Sequence, residues 1–308
     1  MKGLACAAAL AVGCLTAVPG LAADLNMKTK APPKPVVVSP WDIAFGSALM
    51  TDYNFRGITQ SNHKPSVAAY FEPRYNINEN LQLYAGVSGE SISFPNRAAA
   101  EVDFYTGVRP TFGKLALDFG FWEYYYPGGT CFNADPAFGA DCAANGNLPI
   151  NNNVIKADLS FWELYGKATY TVNDQFSFGG SVFWSPSVLN SGAEGTYIAA
   201  TAKYVLPNVL PHDIGWFASA DVGHWFLGTA DAFYFNVPYK SYTNWDLGLG
   251  LTWKQFTLDL RYFDTNLSKS DCNVFTSDQT ASAAGLSNWC GATFIAKLSV
   301  DLTSVNLK

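Results

Sequence analysis

The chain has 308 residues, 14% of them charged and 15% aromatic, with 26 glycines, 3 histidines and a formal net charge of −6. A charged fraction far below the roughly 25% of soluble domains fits a sheet whose outer surface is itself apolar. Basic residues are few and scattered, which excludes nucleic acid as a partner, and no run of eighteen apolar residues follows the first segment, which excludes a helical membrane protein.

Residues 1–23 read as an export signal. Lys2 supplies the positive end, Leu4 to Val18 the apolar stretch, and Gly20-Leu21-Ala22 or Leu21-Ala22-Ala23 the small-residue cleavage site. A rival reading, lipidation at Cys14, is disfavoured by Ala11 three places earlier. Removing Lys2 with the leader leaves 18 basic against 25 acidic side chains, a net charge of −7. Residues 24–40 follow as a basic, Pro-rich periplasmic tail (Lys28 to Pro35), read as a solvated linker.

From Trp41 to Arg56 every large apolar residue except Met50 stands at an odd position, with Trp41, Ile43, Phe45, Leu49, Tyr53 and Phe55 on one face and Asp42, Ala44, Gly46, Asp52 and Arg56 on the other. The same alternation recurs around Phe71, Leu83, Phe104, Phe119, Leu164, Phe178, Ala200, Ala218, Leu249, Leu260 and Leu298, which makes twelve strands. The connections alternate too. Gly113-Lys114 and Lys254-Gln255 are tight turns, whereas residues 127–155 and 268–291 are long loops. Short turns on one rim and long loops on the other predict an all-β fold, a transmembrane antiparallel up-and-down β-barrel over residues 41–308. An even strand number puts both termini in the periplasm. If Gly113-Lys114 is a two-residue hairpin, Phe112 faces Leu115 and Val108 faces Phe119; at Lys254-Gln255, Trp253 faces Phe256 and Leu251 faces Leu258.

Ionisable residues sort by phase. Asp52, Arg56, Glu72, Arg74, Glu90, Glu101, Asp103, Arg109, Asp118 and Glu163 fall on the polar face, as do Lys167, Asp246, Asp259, Arg261 and Lys297. With Asp42, Lys203, Asp221 and Asp301 they amount to twelve acids and seven bases pointing inward. Glu123 and Asp264 break the rule near the outer rim. A mixed-charge interior is either a hydrated channel with a cation bias or a network of ion pairs filling a narrow barrel; Arg109 opposite Asp118 makes the second concrete for one pair. Twelve strands lie between filled eight-stranded barrels and open sixteen-stranded porins, which favours a narrow pore over a plug.

Four cysteines remain after the leader, all in the two long loops. Cys131 with Cys142 and Cys272 with Cys290 close each loop locally, one of three possible connectivities, and an exported protein meets an oxidising compartment. Neither loop has a histidine, so no metal site is expected there. The Cys131 loop is a candidate for folding inward as a constriction. Aromatics gather at the turn rim (Trp41, Tyr75, Phe112, Tyr170, Trp216, Trp253, Phe256) and at the loop rim (Tyr53, Phe55, Tyr125, Trp184, Phe226, Tyr262), as in the interfacial girdles of membrane barrels.

No catalytic pair can be built from His63, His212 or His224, so no enzyme, cofactor or metal is expected. Asp52-Tyr-Asn-Phe-Arg-Gly-Ile-Thr-Gln-Ser61 carries an Asp-Tyr-x-Phe-Arg-Gly-x-x-x-Ser stretch. It resembles the opening of the TorF-like porin family of Gram-negative bacteria, as do Glu101-Val-Asp-Phe-Tyr-Thr-Gly and Phe161-Trp-Glu-Leu-Tyr-Gly. The resemblance implies an outer-membrane barrel with a transport role and no defined substrate, and marks Asp52, Tyr53, Phe55, Arg56 and Gly57 as the motif. Lys308 departs from the terminal aromatic common in barrels, and Val300 and Leu302 are an alternative assembly signal. The leading expectation is a porin-like channel in the cell outer membrane for passive diffusion of small hydrophilic solutes, weakly cation-selective, with outer-membrane lipid and the export and barrel-assembly machinery as partners. The alternatives are a plugged structural or receptor-like barrel with disulfide-closed loops, and a soluble secreted sandwich.

Overall fold

Alternation of apolar and polar side chains over ten or more residues requires a sheet with two unlike faces. In the computed structural model, which describes residues 40–133, 137, 142, 151–207, 211 and 214–305, that sheet closes on itself. The export signal, the tail as far as residue 39, His212 and Lys308 lie outside the described residues.

The strands are β1 (Trp41–Met50), β2 (Asn54–Phe55), β3 (Ile58–Thr59), β4 (Ser66–Asn78), β5 (Leu81–Glu90), β6 (Glu101–Phe112) and β7 (Leu115–Tyr125). After them come β8 (Phe161–Thr171), β9 (Phe176–Ser185), β10 (Gly195–Val205), β11 (Gly215–Leu227), β12 (Tyr242–Trp253), β13 (Phe256–Thr265) and β14 (Thr293–Thr303). Among the described residues β1 and β4–β14 make a twelve-stranded closed barrel in which each strand pairs antiparallel with its chain neighbours and β1 pairs with β14. The pair β2–β3 is a separate hairpin.

The hairpin registers agree with the sequence pattern. Phe112 faces Leu115 and Val108 faces Phe119 across β6–β7, while Trp253 faces Phe256, Leu251 faces Leu258 and Leu249 faces Leu260 across β12–β13. Gly113 takes a φ of 61°, a left-handed value that a tight hairpin requires and that glycine adopts freely. Strand β4 continues to Asn78 with a register shift between Asn76 and Asn78, which leaves a tight turn to β5 at Leu81.

One face of every barrel strand is apolar and points outward. Leu49 (60% exposed) and Leu247 (62%) stand in a belt with Phe71, Phe104, Phe119, Leu164, Ile198, Val222, Leu260 and Leu298. An apolar belt this extensive on a closed barrel is the lipid-facing surface of an outer-membrane protein. At the turn rim Trp41 meets Tyr75 edge-on at 4.9 Å and Trp253 stacks on Phe256, whereas Tyr262 meets Phe294 at 5.0 Å near the loop rim. The chain is therefore an all-β barrel of the outer membrane.

The sequence pattern is wrong at the end of the first strand. Strand β1 stops at Met50, and residues 51–65 leave the wall and enter the barrel mouth. Tyr53 and Phe55 are thus not rim aromatics facing lipid: Tyr53 is buried and Phe55 packs among interior rings. The physical reason is a reversal at Arg56 (φ 51°) and Gly57 (φ 83°), two successive left-handed residues that fold β2 back onto β3.

Candidate functional site in the lumen

The inward face carries more than charges. Tyr84, Tyr105, Trp122, Tyr124, Phe161, Tyr165, Phe183, Tyr197, Trp225 and Tyr242 stand in the polar phase of their strands and are all buried. Tyr105 and Trp122 stack at 4.2 Å and Tyr124 and Phe161 at 4.5 Å. Room for such rings comes from small residues on neighbouring strands: a Cβ at Gly120 would lie 2.6 Å from the Tyr165 hydroxyl. Parity already placed these rings inward, but their hydrophobicity hides them from a search for polar lumen residues.

Into this aromatic collar the segment 51–65 inserts its hairpin. Arg56 donates to both oxygens of Glu163, at 2.8 and 2.7 Å, and Tyr124 adds a hydroxyl at 3.1 Å. The guanidinium lies 4.2–4.9 Å from the centroids of Phe55, Phe183, Tyr197 and Trp225, within cation–π range. Both side chains of the pair are almost fully buried, and Tyr242 donates its hydroxyl to the Arg56 carbonyl.

Asp52 holds the base of the insert. It accepts hydrogen bonds from Thr59 (2.5 Å) and Ser61 (2.8 Å) and pairs with His63 Nδ1 at 2.9 Å. The other nitrogen of His63 lies 3.1 Å from the Asn288 carbonyl in the loop after β13. The hydrogen bond to Asp52 raises the His63 pKa above its ordinary value, opposed by partial burial and helped by the Asn288 carbonyl.

Deeper toward the turn rim the lumen is laced by ion pairs. Arg109 bridges Glu72 (2.8 Å) and Asp118 (3.3 Å), and Arg74 donates to Glu72 at 2.5 Å. Tyr84 donates to Asp118 at 2.5 Å, and Lys167 sits 4.4 Å from the Tyr165 ring. On the opposite wall Arg261 joins Asp246 and Asp259, and reaches Asp221 at 3.6 Å. Lys297 is placed opposite Asp259 in the β13–β14 register. Glu90, Glu101 and Asp103 cluster at the loop end of β5 and β6, with Tyr53 and Tyr126 donating to Glu101 at 2.6 and 2.9 Å.

All fifteen lumen residues proposed from the sequence therefore lie within the barrel bore or at its mouth, but Asp52 and Arg56 come from the insert rather than from the wall. The insert was invisible to strand parity, because its residues continue the odd–even alternation of β1. Only the Arg56-Gly57 turn breaks it. The segment found in the lumen is 51–65; of the Cys131 loop, the candidate inward constriction, the described residues Phe132 and Cys142 are buried in the same cluster as the lumen rings.

Both disulfides form, Cys131 with Cys142 and Cys272 with Cys290. The second closes over the helix Lys269–Thr276, whose Phe275 meets Trp225 and Tyr239 edge-on. Above the insert the loops enclose a cleft of about 680 Å³, part of it open to solvent, lined mainly by apolar and aromatic side chains including Phe55, Phe94, Trp225, Phe275 and Trp289.

A family model described as a bacterial protein of unknown function (Gcw_chp) matches residues 35–294. No curated protein sequence matches the chain. Among solved structures, LpxR from Salmonella typhimurium is 9% identical, with 84% of this chain and 99% of that one aligned at a TM-score of 0.42. The NanC porin is 8% identical (86% and 98%, TM-score 0.41), and the KdgM porin, solved in complex with disordered oligogalacturonate, 6% identical (85% and 97%, TM-score 0.39).

Proposed function

The chain belongs to the Gcw_chp family of bacterial proteins, and from that premise we propose that it is a porin-like outer-membrane barrel held closed by the insert 51–65. The observation that carries this reading is the Arg56–Glu163 pair inside its four-ring cage. A bidentate pair buried in the bore of a twelve-stranded barrel obstructs solute passage at the loop end. The loop-side cleft then collects solutes and the insert gates them. With acids outnumbering bases on the lumen face, the open state favours cations weakly. Both termini face the periplasm in this reading, small hydrophilic solutes are the cargo, and no catalytic step is involved. The TorF-like resemblance falls within the proposal, because Asp52, Tyr53, Phe55, Arg56, Gly57 and Ser61 of that motif are the residues that build the insert.

The test is single-channel recording in planar bilayers. The wild-type barrel is expected to be silent or to flicker at low voltage, and Arg56→Ala to give stable steps whose reversal potential across a salt gradient is shifted toward cations. A folded Arg56→Ala barrel, verified by heat-modifiable gel mobility, that stays silent overturns the gate. A second reading, a receptor-like barrel, is favoured by one specific feature: the aromatic lining of the loop-side cleft suits an occupant that stays rather than one that passes.

A further inference from the structure

Glu90, Glu101 and Asp103 place one carboxylate oxygen each within 4.8 Å of the others, and all three residues are buried, at 3%, 2% and 0% exposure. The register explains the convergence. Glu90 and Glu101 face each other across β5–β6, and Asp103 follows two residues on, on the same inward face. Ionised carboxylates in such a place are strongly unfavourable unless neutralised. Yet among the described residues no ion pair neutralises any of the three.

Their hydrogen bonding is uneven. Glu101 is satisfied by two hydroxyls, Tyr53 at 2.6 Å and Tyr126 at 2.9 Å, and Asp103 accepts from Ser88 on one oxygen. Both oxygens of Glu90 and the other oxygen of Asp103 have no hydrogen-bond partner, although they are fully buried. A buried acceptor without a donor is rare in proteins. Three buried oxygens without donors, on two carboxylates that neighbour Glu101, are the groups a bound cation would satisfy.

We propose that Glu90, Glu101 and Asp103 bind a divalent cation of the calcium class. The ligand set is oxygen only, with no histidine or thiolate, which selects a hard cation. Magnesium keeps most of its waters and is held by one or two carboxylates, whereas calcium accepts a larger, flexible shell of protein oxygens, so three converging carboxylates with oxygens within 4.8 Å of one another suit calcium better. The site also has a structural consequence. Tyr53 belongs to the insert and donates to Glu101, so an ion held by the wall carboxylates orients the group to which the insert is tied. Tyr126, the other donor, lines the loop-side cleft, which gives the ion a way in.

The experiment uses the full chain refolded in synthetic detergent, free of lipopolysaccharide, and stripped with chelator. Terbium serves as the probe, because Tyr53 and Tyr126 touch a ligand and sensitise its emission. The expected result is saturable emission from one terbium per chain, displaced by calcium, at least tenfold weaker in Glu90→Gln and absent in Glu90→Gln with Asp103→Asn. Heat-modifiable mobility verifies that each variant is folded. No sensitised emission from the folded wild-type barrel overturns the site and leaves shared protons as the neutralising charge, and so does undiminished emission from the folded double variant. If the double variant does not fold, unchanged terbium affinity in folded Glu90→Gln is equally fatal. Emission is read without conductance, so its failure is distinguishable from failure of the gating reading.

Discussion

Arg56 and Glu163, 107 residues apart in sequence, meet inside the barrel through two parallel hydrogen bonds of 2.8 and 2.7 Å. Paired guanidinium and carboxylate in fork geometry is the strongest side-chain hydrogen bonding available to a protein. Here it joins a loop hairpin to the inner wall at β8. Around it the neighbouring residues of the insert each have a partner: Asp52 at the base, Tyr53 on Glu101, Phe55 in the ring cage and Ser61 accepting the Tyr53 amide. The insert is therefore a folded part of the lumen.

Removing one member of this pair leaves the other charge buried and uncompensated. Arg56→Ala or Glu163→Gln is expected to destabilise the barrel by about 3–5 kcal/mol, and the double variant by less than the sum, with a coupling of about 1–3 kcal/mol. Urea unfolding in detergent micelles measures all three. Strict additivity would mean that the two side chains meet without contributing to each other's stability.

Strand parity alone makes the barrel legible. Leu249 opposite Leu260 and Val108 opposite Phe119 follow from turn length and alternation, because a period of two leaves no freedom in register once one face must be apolar. The same parity points Tyr165, Tyr197 and Trp225 inward, but a pattern sorted by charge and hydrophobicity gives greasy outside and charged inside and hides an interior of rings. The insert was misread for a more general reason. An odd–even pattern describes an extended chain and does not say which wall the chain belongs to, so Asp52 to Arg56 continued β1 on paper and turned into the bore in the fold. Parity marks Glu90 and Asp103 only as inward-facing, because nothing in one sequence shows that two strand ends bring their carboxylates together.

The latch at His63 is expected to loosen at alkaline pH. Its pKa is raised in the folded state by the hydrogen bond to Asp52, with partial burial opposing and the Asn288 carbonyl helping. A raised pKa means that folding favours the imidazolium. The contribution is fully present below the ordinary histidine pKa of about 6.5 and is lost as pH climbs through the raised value. Hydrogen exchange of residues 51–65, corrected for intrinsic rate, should speed up between pH 6 and pH 9 in the wild type. In His63→Ala it should be fast at both; equal protection of the wild type at the two pH values would refute the latch.

The Cys272–Cys290 bridge spans 18 residues, a loop whose closure stabilises by about 3 kcal/mol in the chain-entropy account. Its effect should stay local, because the loop meets the barrel wall through Phe275 against Trp225 and Tyr242 and the Thr265 hydroxyl on the Cys290 carbonyl, while Asn288 and Trp289 bond the insert at His63, Thr59 and Asn62. Reduction, or Cys272→Ala with Cys290→Ala, is expected to make residues 266–292 susceptible to protease. The heat-modifiable gel shift of the barrel should remain. Loss of that shift on reduction would show that the bridge supports the barrel itself.

Leu247 stands midway along β12 on the outer face and Phe294 at the loop-side end of β14, both strongly exposed. In lipid these positions are not equivalent. Leu247→Arg should weaken folding into phospholipid vesicles by about 2–4 kcal/mol and Phe294→Arg by about 0–1 kcal/mol, since a charge is opposed most at the bilayer midplane. On a sheet facing water the two changes would be alike and near neutral. Equilibrium refolding of both variants into vesicles compares them directly. A depth-dependent penalty is a property of a lipid-facing belt that no soluble sandwich reproduces, and equal small effects at Leu247 and Phe294 would return the apolar face to an aqueous interface.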